Sequence, residues 1–399
     1  MKGALTGERY RVIVSSDIGG TDPDDSQSMV HYLLYSDLFD TEGFISSPMG
    51  KGRVDHFLEV IDEYEKDYHK LCRYAAYPKA ENLRAMVKQG AIDPAGDKGY
   101  AQPTEGSEWI IQCAKKEDPR PLYILVWGLI EDLAQALHDA PEIAPKLRVH
   151  FIGGFNKMCG LNAYEYVRRN FPDLWMIEDN STYRGWFVGG DQSGDWGNHS
   201  FTMRYAKDHG ALGEYFTQLY EGTIKMGDTP TVSWLLGNDP TKPEELGWAG
   251  RFVKVTDMPC VPLQDQIEVF QVAELELDGP ALDWPEEKPA FYLHGIDVHM
   301  PGYYLGNGKY RVRLMVREPR KISYYIVSEI PELDGLKGEF SVIEEQMATR
   351  VNAKPRLTQW WSDVLDSEYA EGIHKGAKLV NQYRREFLES FAERFERVL

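Results

Sequence analysis

From the start of the chain to about residue 265, strand-length apolar runs alternate with apolar positions at helical spacing. Arg11-Val12-Ile13-Val14-Ser15 reads as a buried strand, and Met29, Val30, Leu33 and Leu34 then recur every three or four residues. Gly43-Phe44-Ile45 predicts a second strand, followed by a helix carrying Phe57, Leu58, Val60 and Ile61. Leu122-Tyr123-Ile124-Leu125-Val126 is nearly all apolar, and the next helix begins by Leu133-Ala134-Gln135-Ala136-Leu137. Val149-His150-Phe151-Ile152 runs into Gly153-Gly154. This alternation predicts an α/β fold with an open, mostly parallel sheet covered by helices on both faces. Ligands of such sheets bind beyond the carboxyl ends of the strands, so the loops there are the place to look.

The period changes after about residue 266. Ile267, Val269, Ala273, Leu275 and Leu277 alternate imperfectly with polar positions, and Tyr310, Val312, Leu314 and Val316 share one strand face. Arg311, Arg313 and Arg317 share the other, and Gly306-Asn307-Gly308 just upstream is a hairpin-turn signal. Near the end, Val380, Tyr383, Phe387, Phe391 and Phe395 return to helical spacing. The expected organisation is an α/β domain at 1–265, a small antiparallel β module at 266–345, and a C-terminal helical segment at 346–399 packing on the main domain.

Charge narrows the functional classes. Among 399 residues, 63 Asp+Glu outnumber 44 Lys+Arg, a net charge of −19. Nucleic-acid binders and binders of anionic membranes need basic surface, so neither partner is expected. Twenty-three Tyr, 16 Phe and 10 Trp argue against disorder. Cys72, Cys113, Cys159 and Cys260 stand far apart, which offers neither a zinc knuckle nor a small disulfide framework. There is no membrane-length apolar run and no signal-peptide pattern. A cytoplasmic location is expected, although a secreted chain that has lost its export signal would read the same.

Candidate chemistry concentrates in Ser16-Asp17-Ile18-Gly19-Gly20-Thr21-Asp22-Pro23-Asp24-Asp25-Ser26, where four carboxylates fall within nine residues between a strand and a helix. Two unit charges about 4 Å apart repel by about 4 kcal/mol at an effective dielectric near 20. Converging carboxylates therefore call for a cation or for strongly raised pKa values, and hard divalent ions, Ca²⁺ above all, suit oxygen ligands. An exposed acidic turn capping the helix is the plain alternative. An EF-hand loop starting at Asp17 fails, because its twelfth position is Ser28 and its seventh Pro23. A phosphatase loop with aspartates two apart fails at Gly19, and no P-loop occurs.

The strand, Asp17, the glycine turn and Asp24-Asp25 opening a helix resemble the acidic N-terminal motif of nucleoside hydrolases. More specifically, they resemble a nucleoside-hydrolase-like family with cellulose-binding relatives. Thr104-Glu105-Gly106-Ser107-Glu108-Trp109, Val126-Trp127-Gly128, Asn162-Ala163-Tyr164-Glu165-Tyr166, Tyr183-Arg184-Gly185, Gly227-Asp228-Thr229-Pro230 and Tyr383-Arg384-Arg385-Glu386-Phe387-Leu388 support the likeness in their order along the chain.

That resemblance implies a Ca²⁺-dependent hydrolase of a glycosidic bond, with the N-glycosidic bond of a nucleoside or related ribosyl compound as the specific expectation. Asp17, Asp25 and Asp228 would be metal ligands, with Asp17 also the general base, and a carbonyl ligand would fall near Glu131. Asp24, Asn162 and Glu165 would face sugar hydroxyls, and His199 could cover the sugar or protonate a leaving group. Two other readings stay open: a carbohydrate-binding protein on a hydrolase-like fold, and a hydrolase of a sugar O-glycoside. The module at 266–345 could cap the site, make a dimer contact in a homo-oligomer, or bind carbohydrate.

Overall fold

The computed structural model describes residues 9–20, 23–48, 53–351 and 356–399. Its first sheet is built from β1 (Tyr10–Ser16), β2 (Phe39–Ser46), β3 (Val87–Gln89), β4 (Leu122–Val126), β5 (Leu147–Ile152) and β6 (Trp175–Asp179). To these the chain adds β7 (Val253–Val255) much later in sequence. Next come β8 (Val261–Pro262), β9 (Gln266–Glu268), β10 (Ala273–Asp278), β11 (Phe291–His294), β12 (Met300–Gly306), β13 (Lys309–Leu314), β14 (Arg320–Ser328) and β15 (Lys337–Ile343), which make a second sheet. A last strand, β16 (Trp360–Ser362), returns to the first.

The first sheet runs β3-β2-β1-β4-β5-β6-β16-β7, with all pairings parallel except β16 with β7. The expected α/β architecture is therefore present. Its central strands are buried because helices cover both faces: every residue of β4 and β6 is buried. The order reverses at β1, whose neighbours are β2 and β4, so the loops after β1 and β4 part and leave a crevice at the carboxyl edge.

The second sheet runs β8-β10-β13-β12-β11-β14-β15-β9 and is largely antiparallel. At the β12–β13 hairpin, Asn307 and Gly308 take φ of +52° and +73°, the left-handed pair that a tight two-residue turn requires. Val261–Pro262 already pairs with β10, so this sheet begins before residue 266. The C-terminal segment is mixed. It supplies β16 to the first sheet before the helix Arg384–Glu396 buries Phe387, Phe391 and Phe395.

The arginine face of β13 docks the two sheets together. Arg313 Nη1 donates to Asn162 Oδ1 at 2.6 Å and its Nε to Glu274 at 2.8 Å, while Arg311 pairs with Asp97. Lys157 Nζ, fully buried, donates to Glu178 Oε1 at 2.7 Å on β6 and to the carbonyl of Phe270 at 3.0 Å in the module. One continuous apolar cluster runs from Ile13 and Ile124 to Val312 and Phe340.

Candidate active site

β1 ends in Ser16, and its hydroxyl donates to Asp25 Oδ1 while accepting from the amide of Ile18 at 3.0 Å. This double contact folds the acidic loop over the strand end and fixes Asp25 in the first turn of the helix Asp24–Leu34. Carboxylates suit that end of a helix, where unpaired amides carry partial positive charge. Asp22, part of the same motif, lies outside the described residues.

Asp228 arrives from 200 residues further on and is held by the same helix. Gln27 donates from Nε2 to the carbonyl of Thr223 at 2.9 Å, and its Oε1 accepts from the amides of Lys225 (2.9 Å) and Met226 (3.1 Å). Gly227 lies close against Asp24, whose Oδ2 a Cβ there would approach to 2.5 Å and displace. At the end of β4, Gly128 packs so closely that an added Cβ would lie 2.6 Å from the backbone nitrogen of Asp17. Trp127 Nε1 donates to Thr231 Oγ1 at 2.7 Å, tying this edge to the helix Thr229–Gly237.

One carboxylate oxygen each of Asp24, Asp25 and Asp228 lies within 4.8 Å of the others. Ca²⁺–oxygen bonds of about 2.3–2.6 Å put two ligands of one ion at most about 5 Å apart, so this donor set fits a single hard cation. Asp17 lines the same cavity, of about 290 Å³, but stands outside that trio. The expected ligands Asp25 and Asp228 are thus brought together, with Asp24 beside them where the sequence pointed to Asp17. Trp127, Phe155, Tyr183 and Phe187 give the cavity aromatic walls, and Arg184, Lys225 and Arg317 give it a basic rim. Lys225 Nζ lies 3.6 Å from Asp24.

The loop after β6 that carries Tyr183 and Arg184 rests on two buried acids. Asp179 Oδ1 accepts from the amide of Tyr183 at 2.8 Å. Asp363, just past β16, accepts from the amides of Asn180 (3.0 Å) and Thr182 (2.9 Å). Burial pushes the Asp179 carboxyl up to about 7. Burial, then the nearby Asp179, does the same to Asp363, also to about 7.

The remaining candidates sit elsewhere. Asn162 donates to the carbonyl of Ala95 at 3.2 Å and is held by Arg313, and Glu165 is buried against Arg168 and Arg169. Both lie on the helix Leu161–Asn170, facing the second sheet's contacts. Glu131 opens the helix Glu131–Asp139 beside Gly160, and burial followed by repulsion from Asp132 raises its carboxyl to about 8. His199 is exposed on the short helix Asn198–Phe201. None of these four side chains lines the cavity. Phe155, Phe187, Lys225 and Arg317 were missed as site residues. Gly153-Gly154 after β5 was a usable signal for Phe155, whereas Arg317, expected on the strand face with Arg311 and Arg313, lies past the end of β13 in the turn before β14.

An acidic cavity thus opens at the switch point of the open α/β sheet. Residues 11–252 match the family described as cellulose-binding Sde182, nucleoside hydrolase-like domain, and the chain belongs to that family. A solved structure of a nucleoside hydrolase-related protein from Saccharophagus degradans, described as associated with carbohydrate metabolism, is similar in fold. It shares 18% identity and a TM-score of 0.53 over 85% of this chain and 100% of that one. A purine-preferring ribonucleoside hydrolase from Gardnerella vaginalis shares 14% identity and a TM-score of 0.39, covering 62% of this chain and 83% of its own. No curated protein matches the chain.

Proposed function

We propose that this chain hydrolyses a glycosidic bond in the cavity above Asp17, with Ca²⁺ as its cofactor and a nucleoside or related ribosyl compound as the specific substrate. The observation that carries this reading is the trio of carboxylate oxygens within 4.8 Å, set in a cavity that exposes a fourth carboxylate, Asp17. Asp25 and Asp228 would hold the ion, with Asp24 or Asp17 completing the set. A bound divalent cation supplies acidity to a coordinated water.

The chain's own residues do the rest. Asp17 takes the proton of the attacking water. Asp24, against Lys225, meets a sugar hydroxyl. The carboxylates favour the positive charge that develops at the anomeric carbon. Trp127, Phe155, Tyr183 and Phe187 exclude water and offer ring faces to the substrate. Asn162 and Glu165, the two residues expected to grip ribose, are engaged with arginines outside the cavity, so the sugar would be held by the cavity's own residues.

A reducing-sugar assay over a panel of nucleosides and O-glycosides, with Ca²⁺ and after chelation, tests the reading. Sugar release from at least one member is expected, falling by about 10²–10⁴-fold in Asp17→Asn, as for loss of a general base. Inactivity across the panel with metal present would overturn it.

A second cleft favours carbohydrate binding as an alternative. It measures about 590 Å³, lies between residues 96–102 and the β module, and exposes Tyr100, Trp284 and Tyr304. If this cleft is the functional one, retention on insoluble polysaccharide falls in Trp284→Ala and is unchanged in Asp25→Ala. The reverse pattern contradicts it.

A further inference from the structure

Two arginines from different sheets meet on the cavity. Arg184 comes from the turn after β6, and Arg317 from the turn between β13 and β14. Both also line a second cavity of about 80 Å³, together with Gly154, His374 and Lys375. They therefore line both spaces.

Both are half-buried, and their contacts are weaker than those of the buried arginines. Arg11, Arg168, Arg350 and Arg394 each pair with a carboxylate, and Arg384 donates to the carbonyls of Trp186 and Trp196. The Arg184 guanidinium lies over the Tyr183 ring at 5.1 Å, with no hydrogen bond or ion pair among the described residues. Arg317 lies over Phe155 at 5.2 Å and touches Asp297 at 3.6 Å through Nη2, while its buried Nε has no hydrogen-bond partner. Asp297 partly neutralises Arg317, whereas Arg184 has no carboxylate within ion-pair distance among the described residues.

A buried donor without an acceptor costs about 1–3 kcal/mol, and a guanidinium fork matches carboxylate and phosphate oxygens. We propose that Arg184 and Arg317 form an anion-recognition pair, so that the substrate is a sugar derivative bearing a carboxylate or phosphate group. This deepens the glycosidase reading and rests on it for the identity of the site, with the scissile bond at the aspartates and the anionic group at the arginines. Because Arg317 comes from the turn that joins two strands of the second sheet, the β module contributes to specificity.

The test is calorimetric titration of the full chain in CaCl₂ with glucuronate against glucose, and with ribose 5-phosphate against ribose. At least one charged sugar is expected to bind about tenfold or more tightly than its neutral partner, a difference of about 1.4 kcal/mol. The pair that shows the preference identifies carboxylate or phosphate as the group. The preference should shrink in Arg317→Met and Arg184→Met, and partly in Arg317→Lys, which keeps the charge and loses the fork. Equal binding of charged and neutral sugars, no binding of either charged sugar, or a preference that survives both Met variants overturns the proposal. A Ca²⁺ titration without sugar separates the two claims. Charge preference without Ca²⁺ binding defeats the hydrolase reading alone, whereas Ca²⁺ binding without charge preference defeats the arginine pair alone.

Discussion

His31 illustrates what single residues cost in this helix. It lies one face away from the acidic turn, buried among Tyr35, Trp186 and Phe391 with its Nδ1 unpartnered. Burial, then the Arg394 charge, lowers its pKa from 6.5 to about 3. The unfolded chain thus takes up a proton that the native state refuses. The contribution to stability is complete above pH 6.5 and is lost as pH falls toward 3. The slope is about 1.4 kcal/mol per pH unit for one proton. His31→Phe should flatten urea-unfolding stability by that one-proton slope between pH 4 and 6, and an unchanged slope contradicts the assignment. At this scale the sequence was uneven. Asp17, Asp24, Asp25 and Asp228 were legible because carboxylates crowd a turn or sit in a recognisable segment. Asn162 and Glu165 were not, because the same polar side chains serve equally well as partners for Arg313 and Arg168.

At the scale of elements, the site depends on the fit of the loop 223–228 against the helix Asp24–Leu34. Gln27 is the clamp: its amide satisfies one carbonyl and two amides of that loop, which no other side chain there duplicates among the described hydrogen bonds. Gln27→Met keeps the volume and removes all three bonds, at about 1–3 kcal/mol for each group left unsatisfied in the interior. Both a lower thermal midpoint and at least about tenfold weaker Ca²⁺ binding are expected, since the loop positions Asp228. A variant with full Ca²⁺ affinity would show that Asp228 is placed by other means. The strands and helices around this clamp were readable from apolar spacing. The clamp was not, because Gln27 joins residues about 200 positions apart and amide hydrogen bonding leaves no period in a sequence.

On the scale of the whole molecule, two sheets share one core, and some of the polar contacts between them are buried in it. Lys157 reaches from under β6 to the carbonyl of Phe270, and Arg313 joins β13 to the helix Leu161–Asn170. The parallel sheet and the β module were both visible in the change of period near residue 266. That β16 crosses back beside β6 was not, since Trp360-Trp361-Ser362 is too short to show a pattern and is placed by tertiary pairing. This return matters for function, because Asp363 follows β16 directly and holds the loop that presents Tyr183 and Arg184. The cavity is therefore assembled from both sheets and the C-terminal segment around the aspartates. Isothermal titration of chelator-treated chain with Ca²⁺ tests that centre most directly. The account predicts one site in the native chain, lost or weakened at least about a hundredfold in Asp25→Ala. No binding, or binding unchanged by that substitution, contradicts it.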